Sequence, residues 1–187
     1  MLHLRILIFI FTVCSSFQVL AQKRKGVWGI QAGLASGELG NTTDVLSRSM
    51  VYTPIGVYGG VLFKQFKLSL EADYIFVAQT AATANLNNQN ISGKEIATGI
   101  RLEYFKNKNY FGLIYRPFDR LTLDMKTNLG TDSVYSGSSA ELFYVRQIKN
   151  RLGIFVHIRQ GHLKSDFGYS DDFDLIQYGA GLILFNY

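Results

Sequence analysis

The residues best suited to nucleophilic chemistry lie close together near the C-terminal end of the chain. His162, Ser165 and Asp166 occupy a five-residue stretch and offer an imidazole, a hydroxyl and a carboxylate. Acyl transfer uses these three groups when they converge in space. Closeness in sequence does not make them converge, because polar segments commonly contain all three types. We therefore interpret this stretch as part of a solvated loop and predict no catalytic residue.

An acidic segment, residues 166–174, overlaps this stretch. Its aspartates, Asp166, Asp171, Asp172 and Asp174, offer carboxylate oxygens of the kind that bind Ca²⁺. The segment lacks the ligand spacing of an EF-hand, and no Cys/His spacing in the chain is typical of a zinc site. We predict a solvated loop here, with no metal and no cofactor.

Other charged residues alternate with apolar ones in long runs. In residues 67–79 the even positions, such as Leu70, are apolar, whereas Glu71 and Asp73 occupy odd positions. A period of two is typical of a β-strand with two different faces. Eight runs of this kind follow one another: 26–36, 51–63, 67–79, 93–105, 110–123, 138–148, 152–163 and 175–187.

Two of these runs are irregular. Pro117 interrupts the fifth run, and because proline has no N–H to donate, we predict a bulge or an edge position there. In the sixth run, Leu142 and Tyr144 compete with Phe143 and Val145 for the outward face. The sequence leaves the facing of that run open.

The links between the runs alternate in length. Three links are short and basic, and four are longer and rich in Gly, Asn, Ser, Thr and Asp. The short links are 64–66, 106–109 and 149–151, and the long ones are 37–50, 80–92, 124–137 and 164–174. Short turns on one rim and long loops on the other predict an all-β fold, an eight-stranded antiparallel up-and-down transmembrane β-barrel. A soluble secreted barrel that binds an apolar ligand, as lipocalins do, is an alternative.

The N-terminal residues predict export. Arg5 precedes the apolar stretch 6–13, and Val19-Leu20-Ala21 suits a signal peptidase. We predict a signal peptide over residues 1–21 and a single outer-membrane β-barrel domain over residues 22–187. The apolar stretch is too short for a transmembrane helix, which needs about 20 residues.

Cys14 is the only cysteine in the chain. A lipoprotein signal at this cysteine is disfavoured, because Val13 stands where a small residue is expected. Since Cys14 lies in the predicted signal peptide, the mature chain would be exported without any disulfide. Small soluble secreted domains often need disulfides, whereas a closed barrel in lipid does not.

Both ends of the predicted mature chain resemble a known class of proteins. Residues Gly26-Val27-Trp28-Gly29-Ile30-Gln31-Ala32-Gly33-Leu34 resemble the start of Bacteroidetes outer-membrane β-barrel domain proteins, including PorT-like proteins. Residues Leu184-Phe185-Asn186-Tyr187 resemble the terminal signal of Gram-negative outer-membrane barrels. The resemblance implies the cell outer membrane as the location. It also implies outer-membrane lipids and the barrel-assembly machinery as partners.

The barrel interior is the predicted site. An eight-stranded barrel is just wide enough inside for its own side chains, so we predict a lumen filled by ion pairs rather than a channel. The predicted members are Glu71, Asp73, Arg101, Glu103, Arg116 and Arg159. Aromatic residues concentrate beside the short turns, as in the girdles of membrane barrels. The predicted interface aromatics are Trp28, Phe63, Phe66, Tyr104, Tyr110, Phe185 and Tyr187.

The formal net charge of +5 raises the question of a nucleic-acid partner. Export and the scattered basic residues argue against that partner. Nine basic residues beside the short links and at the predicted mature N-terminus predict a cationic rim: Lys23, Arg24, Lys25, Lys64, Lys67, Lys106, Lys108, Lys149 and Arg151.

These expectations combine into one predicted function. We expect a non-catalytic outer-membrane barrel with a side-chain-filled lumen and a structural or surface-interaction role. An extracellular partner would bind the long loops, because loops on a rigid scaffold carry recognition. The alternatives are a lipid-modifying barrel enzyme that resembles lipid A deacylases, and a lipocalin-like soluble binder. The enzyme would need His162 and a hydroxyl to face the outer leaflet within hydrogen-bond range.

Overall fold

The strands close into a barrel in the computed structural model, which describes residues 25–41, 47–79, 91–125, 133–166 and 172–186. Each strand pairs antiparallel with its neighbours in the chain, and the last strand pairs back with the first. The strands are β1 (Gly26–Asn41), β2 (Ser47–Phe63), β3 (Phe66–Gln79), β4 (Ile91–Lys106), β5 (Asn109–Met125), β6 (Ser133–Lys149), β7 (Leu152–Ser165) and β8 (Phe173–Asn186). The predicted eight-stranded up-and-down barrel is confirmed.

The two faces of the barrel wall have opposite polarity. Along β3, Leu70, Ala72 and Tyr74 are exposed on the outside, whereas Glu71 and Asp73 are buried inside. A soluble barrel has the reverse arrangement, since its apolar face fills the core. An apolar exterior around a charged interior is the arrangement that fits a bilayer. Large apolar side chains are exposed on every strand, for example Trp28, Ile55, Leu70, Ile100, Leu113, Leu142, Ile154 and Leu182.

A bulge on β5 sets which side chains enter the interior. The register between β5 and β6 shifts between Arg116 and Asp119, around the predicted position, Pro117. Residues three apart on a regular strand face opposite sides, but the extra residue of the bulge lets Arg116 and Asp119 both point inward. Phe118, within the bulge, is 73% exposed. The bulge therefore adds one carboxylate to the interior.

Packing of the largest side chains decides the facing of β6. Leu142 is exposed, whereas Phe143 and Val145 are buried. Gly112 on β5 makes room for the Phe143 ring, because a Cβ on Gly112 would overlap that ring. With this facing settled, Glu141 also points inward.

The strands extend further toward the loops than the sequence indicates. β1 continues to Asn41, and β6 begins at Ser133 rather than at residue 138. Backbone ladder bonds need no particular side chain, so Gly- and Ser-rich residues can continue a ladder. The rest of the predicted long links (42–46, 80–90, 126–132 and 167–171) lies outside the described residues, as does the predicted signal peptide. The described residues contain no helix long and apolar enough to cross a membrane.

Apolar side chains close the barrel interior near both ends. Toward the loop end, a buried cluster includes Tyr52, Leu121 and Leu163. Toward the short-turn end, a second cluster includes Tyr110 and Phe155. The buried charged side chains lie mainly at the middle positions of the strands, between these clusters. The fold therefore encloses a polar chamber between two apolar layers.

Candidate functional site

Arg116 on β5 links three carboxylates inside the barrel. Its Nε and Nη2 donate to Asp73 Oδ2 at 2.9 and 2.7 Å. Its Nη2 also donates to Glu71 Oε1, and its Nη1 donates to Glu141 Oε2, both at 2.9 Å. The planar guanidinium presents several donors in fixed directions, which suits it to bridging carboxylates from different strands. Arg116 thereby ties β5 to β3 and β6 across the interior.

Arg101 on β4 organises the side of the chamber nearer the short turns. Its Nε donates to Glu103 Oε1 at 2.6 Å, and its Nη1 donates to Glu71 Oε2 and Gln31 Oε1 at 2.8 Å each. Its guanidinium carbon lies 4.0 Å from the ring centroid of Phe143. Lys67 forms an ion pair with the same Glu103. Arg101 therefore combines ion pairs with a cation–π contact in a site shielded from water.

Arg159 on β7 holds the third group of carboxylates. Its Nη2 contacts both Glu95 and Asp119, and its Nε donates to Ser139 Oγ at 2.9 Å. The Ser139 hydroxyl in turn donates to Asp119 Oδ2 at 2.8 Å. A distance of 3.5 Å separates Arg159 Nη1 from Gln177 Oε1. Strands β4 to β8 thus all contribute to this group.

The structure brings together all six residues predicted for the interior. Glu71, Asp73, Arg101, Glu103, Arg116 and Arg159 are each at most 3% exposed. Their hydrogen bonds form two groups, one around Arg101 and Arg116 and the other around Arg159. We call the two groups together the lumen network. The lumen network has further members that were not predicted from the sequence: Gln31, Lys67, Glu95, Asp119, Ser139, Glu141 and Gln177.

Each missed charged member has its own reason. Glu95 lies on the inward face of β4, but no local pattern indicates a partner for its carboxylate. The inward orientation of Asp119 could not be predicted because the bulge changes the parity of the strand. That of Glu141 could not be predicted because the sequence leaves the facing of β6 open. Lys67 was predicted on the cationic rim because it follows a turn, but it is 1% exposed and points inward. That prediction is wrong for Lys67, since its parity on β3 matches that of the buried Glu71.

Acidic groups outnumber basic ones inside the barrel. The described interior buries six carboxylates (Glu71, Asp73, Glu95, Glu103, Asp119 and Glu141) and four cations (Lys67, Arg101, Arg116 and Arg159), a formal difference of two negative charges. His157 Nδ1 lies 3.3 Å from Glu141 Oε2. Each of the three arginines contacts two or more carboxylates. Because the interior already holds an excess of negative charge, removal of a cation leaves more charge unbalanced than removal of a carboxylate.

The lumen network leaves little free space. A cavity of about 10 Å³ lies among its members, lined in part by Gln31, Asp73, Arg116 and His157. That volume is about the size that holds one water molecule. With apolar clusters above and below, the interior is a packed core rather than a pore.

We expect the folded protein to carry no steady ion current in a planar lipid bilayer, because the lumen network fills the interior. The measurement is single-channel conductance of detergent-folded protein, with heat-modifiable gel mobility showing that the reconstituted protein is folded. Large, stable conductance steps from folded protein would contradict a closed lumen.

The predicted interface aromatics divide between the two faces of the wall. Trp28 and Phe66, each 50% exposed, face outward, and Tyr104 packs on Phe66 with ring centroids 5.3 Å apart. Phe63, at the end of β2, is half-buried. Tyr187 lies outside the described residues.

Tyr110 and Phe185 were predicted at the membrane interface, and this prediction is wrong. They are 4% and 2% exposed, and their rings pack inside the barrel with centroids 5.5 Å apart. Strand parity explains the error: their chain neighbours Phe111 and Leu184 are the outward residues. Nearness to a short turn gives the height of a side chain along the barrel but not its facing.

His162, the candidate general base, lies on the outer face of the wall. Its Nδ1 is 2.9 Å from Asp174 Oδ1, and its Nε2 is 3.6 Å from Asp172 Oδ2. Ser165 lies on β7 at an odd separation from His162 and therefore on the other face of the strand. The predicted stretch does not bring a nucleophile and a base together. Among the described residues, no group of three or more His, Cys, Asp or Glu is placed to hold a metal ion.

Comparison with known proteins identifies the fold. No protein-family model matches the chain, and no curated protein matches it. Neisserial surface protein A (NspA) is similar in structure, with a TM-score of 0.61 and 11% identity over 86% of this chain and 99% of that protein. Ail of Yersinia pestis, solved with the heparin analogue sucrose octasulfate, has a TM-score of 0.53 and 8% identity over 86% and 99%. The N-terminal β-barrel domain of Pseudomonas aeruginosa OprF has a TM-score of 0.51 and 5% identity over 87% and 100%.

These similarities show a fold shared with outer-membrane β-barrels. At such low identity they carry no information on activity or ligand. The resemblance to PorT-like proteins of Bacteroidetes stays a prediction. A lipocalin-like soluble barrel does not fit the wall, because the apolar residues face outward and the charged ones inward.

Proposed function

We propose that this protein is a non-catalytic barrel of the outer membrane that acts through its loop-end face. The lumen network carries the proposal: the described residues fill the charged interior inside an apolar wall, and this packing favours the outer surface as the place of interaction. The role is then structural or recognitional. The predicted signal peptide supports export.

The two rims support a defined orientation. The short-turn rim exposes Lys64, Lys106, Lys108, Lys149 and Arg151. Short turns face the periplasm in barrels of this class, and cations there can reach anionic head groups. At the opposite rim, where the long links begin, strands continue beyond their last exposed large apolar side chain, as β5 does between Phe118 and Met125. An extracellular partner would bind at that rim.

Thiol labelling of intact cells tests location and orientation together. Cys14, the only native cysteine, lies in the predicted signal peptide, so single-cysteine variants need no further change. Asp166→Cys, exposed at the loop end of β7, should react with a membrane-impermeant maleimide added outside. Asn107→Cys, exposed in a short turn, should react only after the outer membrane is permeabilised. The reverse pattern, or a protein recovered in the soluble periplasmic fraction, would contradict the proposal.

An assay for fatty-acid release tests whether the protein is instead a lipid-modifying enzyme that uses His162 and a hydroxyl. Folded protein incubated with lipid A or diacyl phospholipid should release no fatty acid above the level of a His162→Ala variant. Ser138, directly opposite His162 in the β6–β7 register, is the hydroxyl to replace as a second control. Fatty-acid release that both substitutions abolish would establish the lipid-modifying alternative instead.

A further inference from the structure

A groove interrupts the apolar outer wall. It has a volume of about 340 Å³ and crosses strands β5 to β8. Its outward lining residues are Leu113, Ala140, Leu142, Ile158, Gln160 and Ile176. The short side chain of Ala140 lies among longer ones, and Leu142 and Ile158 are 60% and 53% exposed. The groove is therefore an apolar depression at the level of the membrane interior.

A row of hydrogen-bonding groups lies next to the groove on its loop side. Ser138 on β6 is opposite His162 on β7, and His162 is opposite Asp174 on β8. This row is two residues along each strand from the row Ala140–Gln160–Ile176 that lines the groove. Serine, imidazole and the Gln160 amide can all donate to carbonyl oxygens. The wall changes here from apolar to hydrogen-bonding.

A cationic row follows, two more residues toward the loops. Arg120 on β5 is opposite Ser136 on β6, and Ser136 is opposite Lys164 on β7. Arg120 and Lys164 are both exposed and outward. Because neighbouring strands are about 4.8 Å apart, the two cations stand about 10 Å apart with a hydroxyl between them. Their long side chains can converge on one anion above Ser136.

Within the described residues, these two cations have no ion-pair partner. None of the ion pairs found among the described residues involves Arg120 or Lys164. The outward Asp124 lies beyond Arg120 on β5, toward the loops, and Asp174 is held by His162. A phosphate would find two charge-assisted donors and a hydroxyl in one row.

From the loop end toward the membrane interior, the wall therefore carries cations, then hydrogen-bonding groups, then an apolar groove. A phospholipid has its phosphate, carbonyl linkages and acyl chains in the same order. We propose that the outer wall of β5–β8 binds a phosphate-bearing lipid of the outer leaflet. The phosphate lies between Arg120 and Lys164, the carbonyl linkages lie beside Ser138 and Gln160, and an acyl chain fills the groove over Ala140. The inference rests on the proposed orientation, because that orientation places the loop-end rows at the outer leaflet.

Native mass spectrometry of folded protein in neutral detergent tests this site. The probes are phosphatidylglycerol, diacylglycerol with the same chains, and inorganic phosphate. Phosphatidylglycerol should bind, and the double variant Arg120→Gln, Lys164→Gln should weaken its binding about tenfold or more, since hydrogen bonds to charged groups are lost. Ala140→Phe should also weaken it by filling the groove. Diacylglycerol and inorganic phosphate should each bind more weakly than phosphatidylglycerol.

The matched control is Lys106→Gln, Lys149→Gln, which removes the same charge from exposed positions on the other rim. It should leave phosphatidylglycerol binding unchanged. Equal loss in both double variants would show a general charge effect and overturn the site. Inorganic phosphate binding as tightly as phosphatidylglycerol would replace the lipid with a free anion. Because these assays use folded protein in detergent, their outcome is distinct from that of the labelling of intact cells.

Discussion

Replacing Arg116 with methionine is expected to lower the free energy of unfolding by about 3–5 kcal/mol. The guanidinium gives four hydrogen bonds to Asp73, Glu71 and Glu141, and all four side chains are buried. Methionine keeps much of the volume but leaves three carboxylates facing one another without that cation. The measurement is equilibrium unfolding in urea of protein folded into lipid vesicles, followed by gel mobility.

Glu95→Gln is the matched control for this prediction. The interior holds two more acidic than basic groups, and glutamine at position 95 keeps an oxygen that can accept from Arg159. Removing one negative charge should therefore change stability far less than removing Arg116. Because glutamine has nearly the same volume as glutamate, equal losses in Arg116→Met and Glu95→Gln would show that the excess of negative charge does not govern the stability of the interior, and would contradict the prediction.

Leu70→Arg is expected to cost about 2–4 kcal/mol of stability in lipid. Leu70 is 61% exposed on the outer face of β3, between Gly59 of β2 and Ile100 of β4. A cation at that position must either be desolvated in the hydrocarbon or thin the bilayer locally so that head groups and water reach it. Urea unfolding in vesicles measures the loss.

Ala78→Arg supplies the comparison on the same strand and the same face. Ala78 lies near the loop end of β3, where an arginine can reach the interface, and its cost should fall to about 0–1 kcal/mol. If both arginines cost the same, or if Leu70→Arg costs nothing, the outer wall of β3 does not lie in a bilayer.

The period of two in the sequence predicted the two faces of the barrel wall, but it did not predict every side chain that points into the interior. On β3 and β4 the alternation is unbroken, so the facing of Leu70, Glu71 and Arg101 follows from position parity. Parity is lost where a bulge inserts a residue, and Asp119 enters the interior for that reason. On β6 both faces carry large side chains, and the space over Gly112 decides which ring turns inward.

The partners within the lumen network could not be predicted either. Arg101 donates to Gln31, which is 70 residues away in the chain, because barrel closure brings β1 across from β4. Such contacts depend on strand stagger and barrel diameter, which local patterns do not specify. The same limit applies to the groove over Ala140, where four strands must be aligned before the depression exists.

The pairing of β1 with β8 also constrains how the protein is made. Seven of the eight ladders join strands that are consecutive in the chain. The eighth joins β1 to β8 and pairs Trp28 with Asn186, at opposite ends of the barrel sequence. The entropy of closing a loop grows with its length, so this seam costs more to form than any hairpin. Until it forms, two rows of backbone N–H and C=O groups are unpaired, and hydrocarbon cannot satisfy them. Insertion and closure should therefore occur together, and a substitution that weakens the seam should slow assembly rather than trap an open sheet in the membrane.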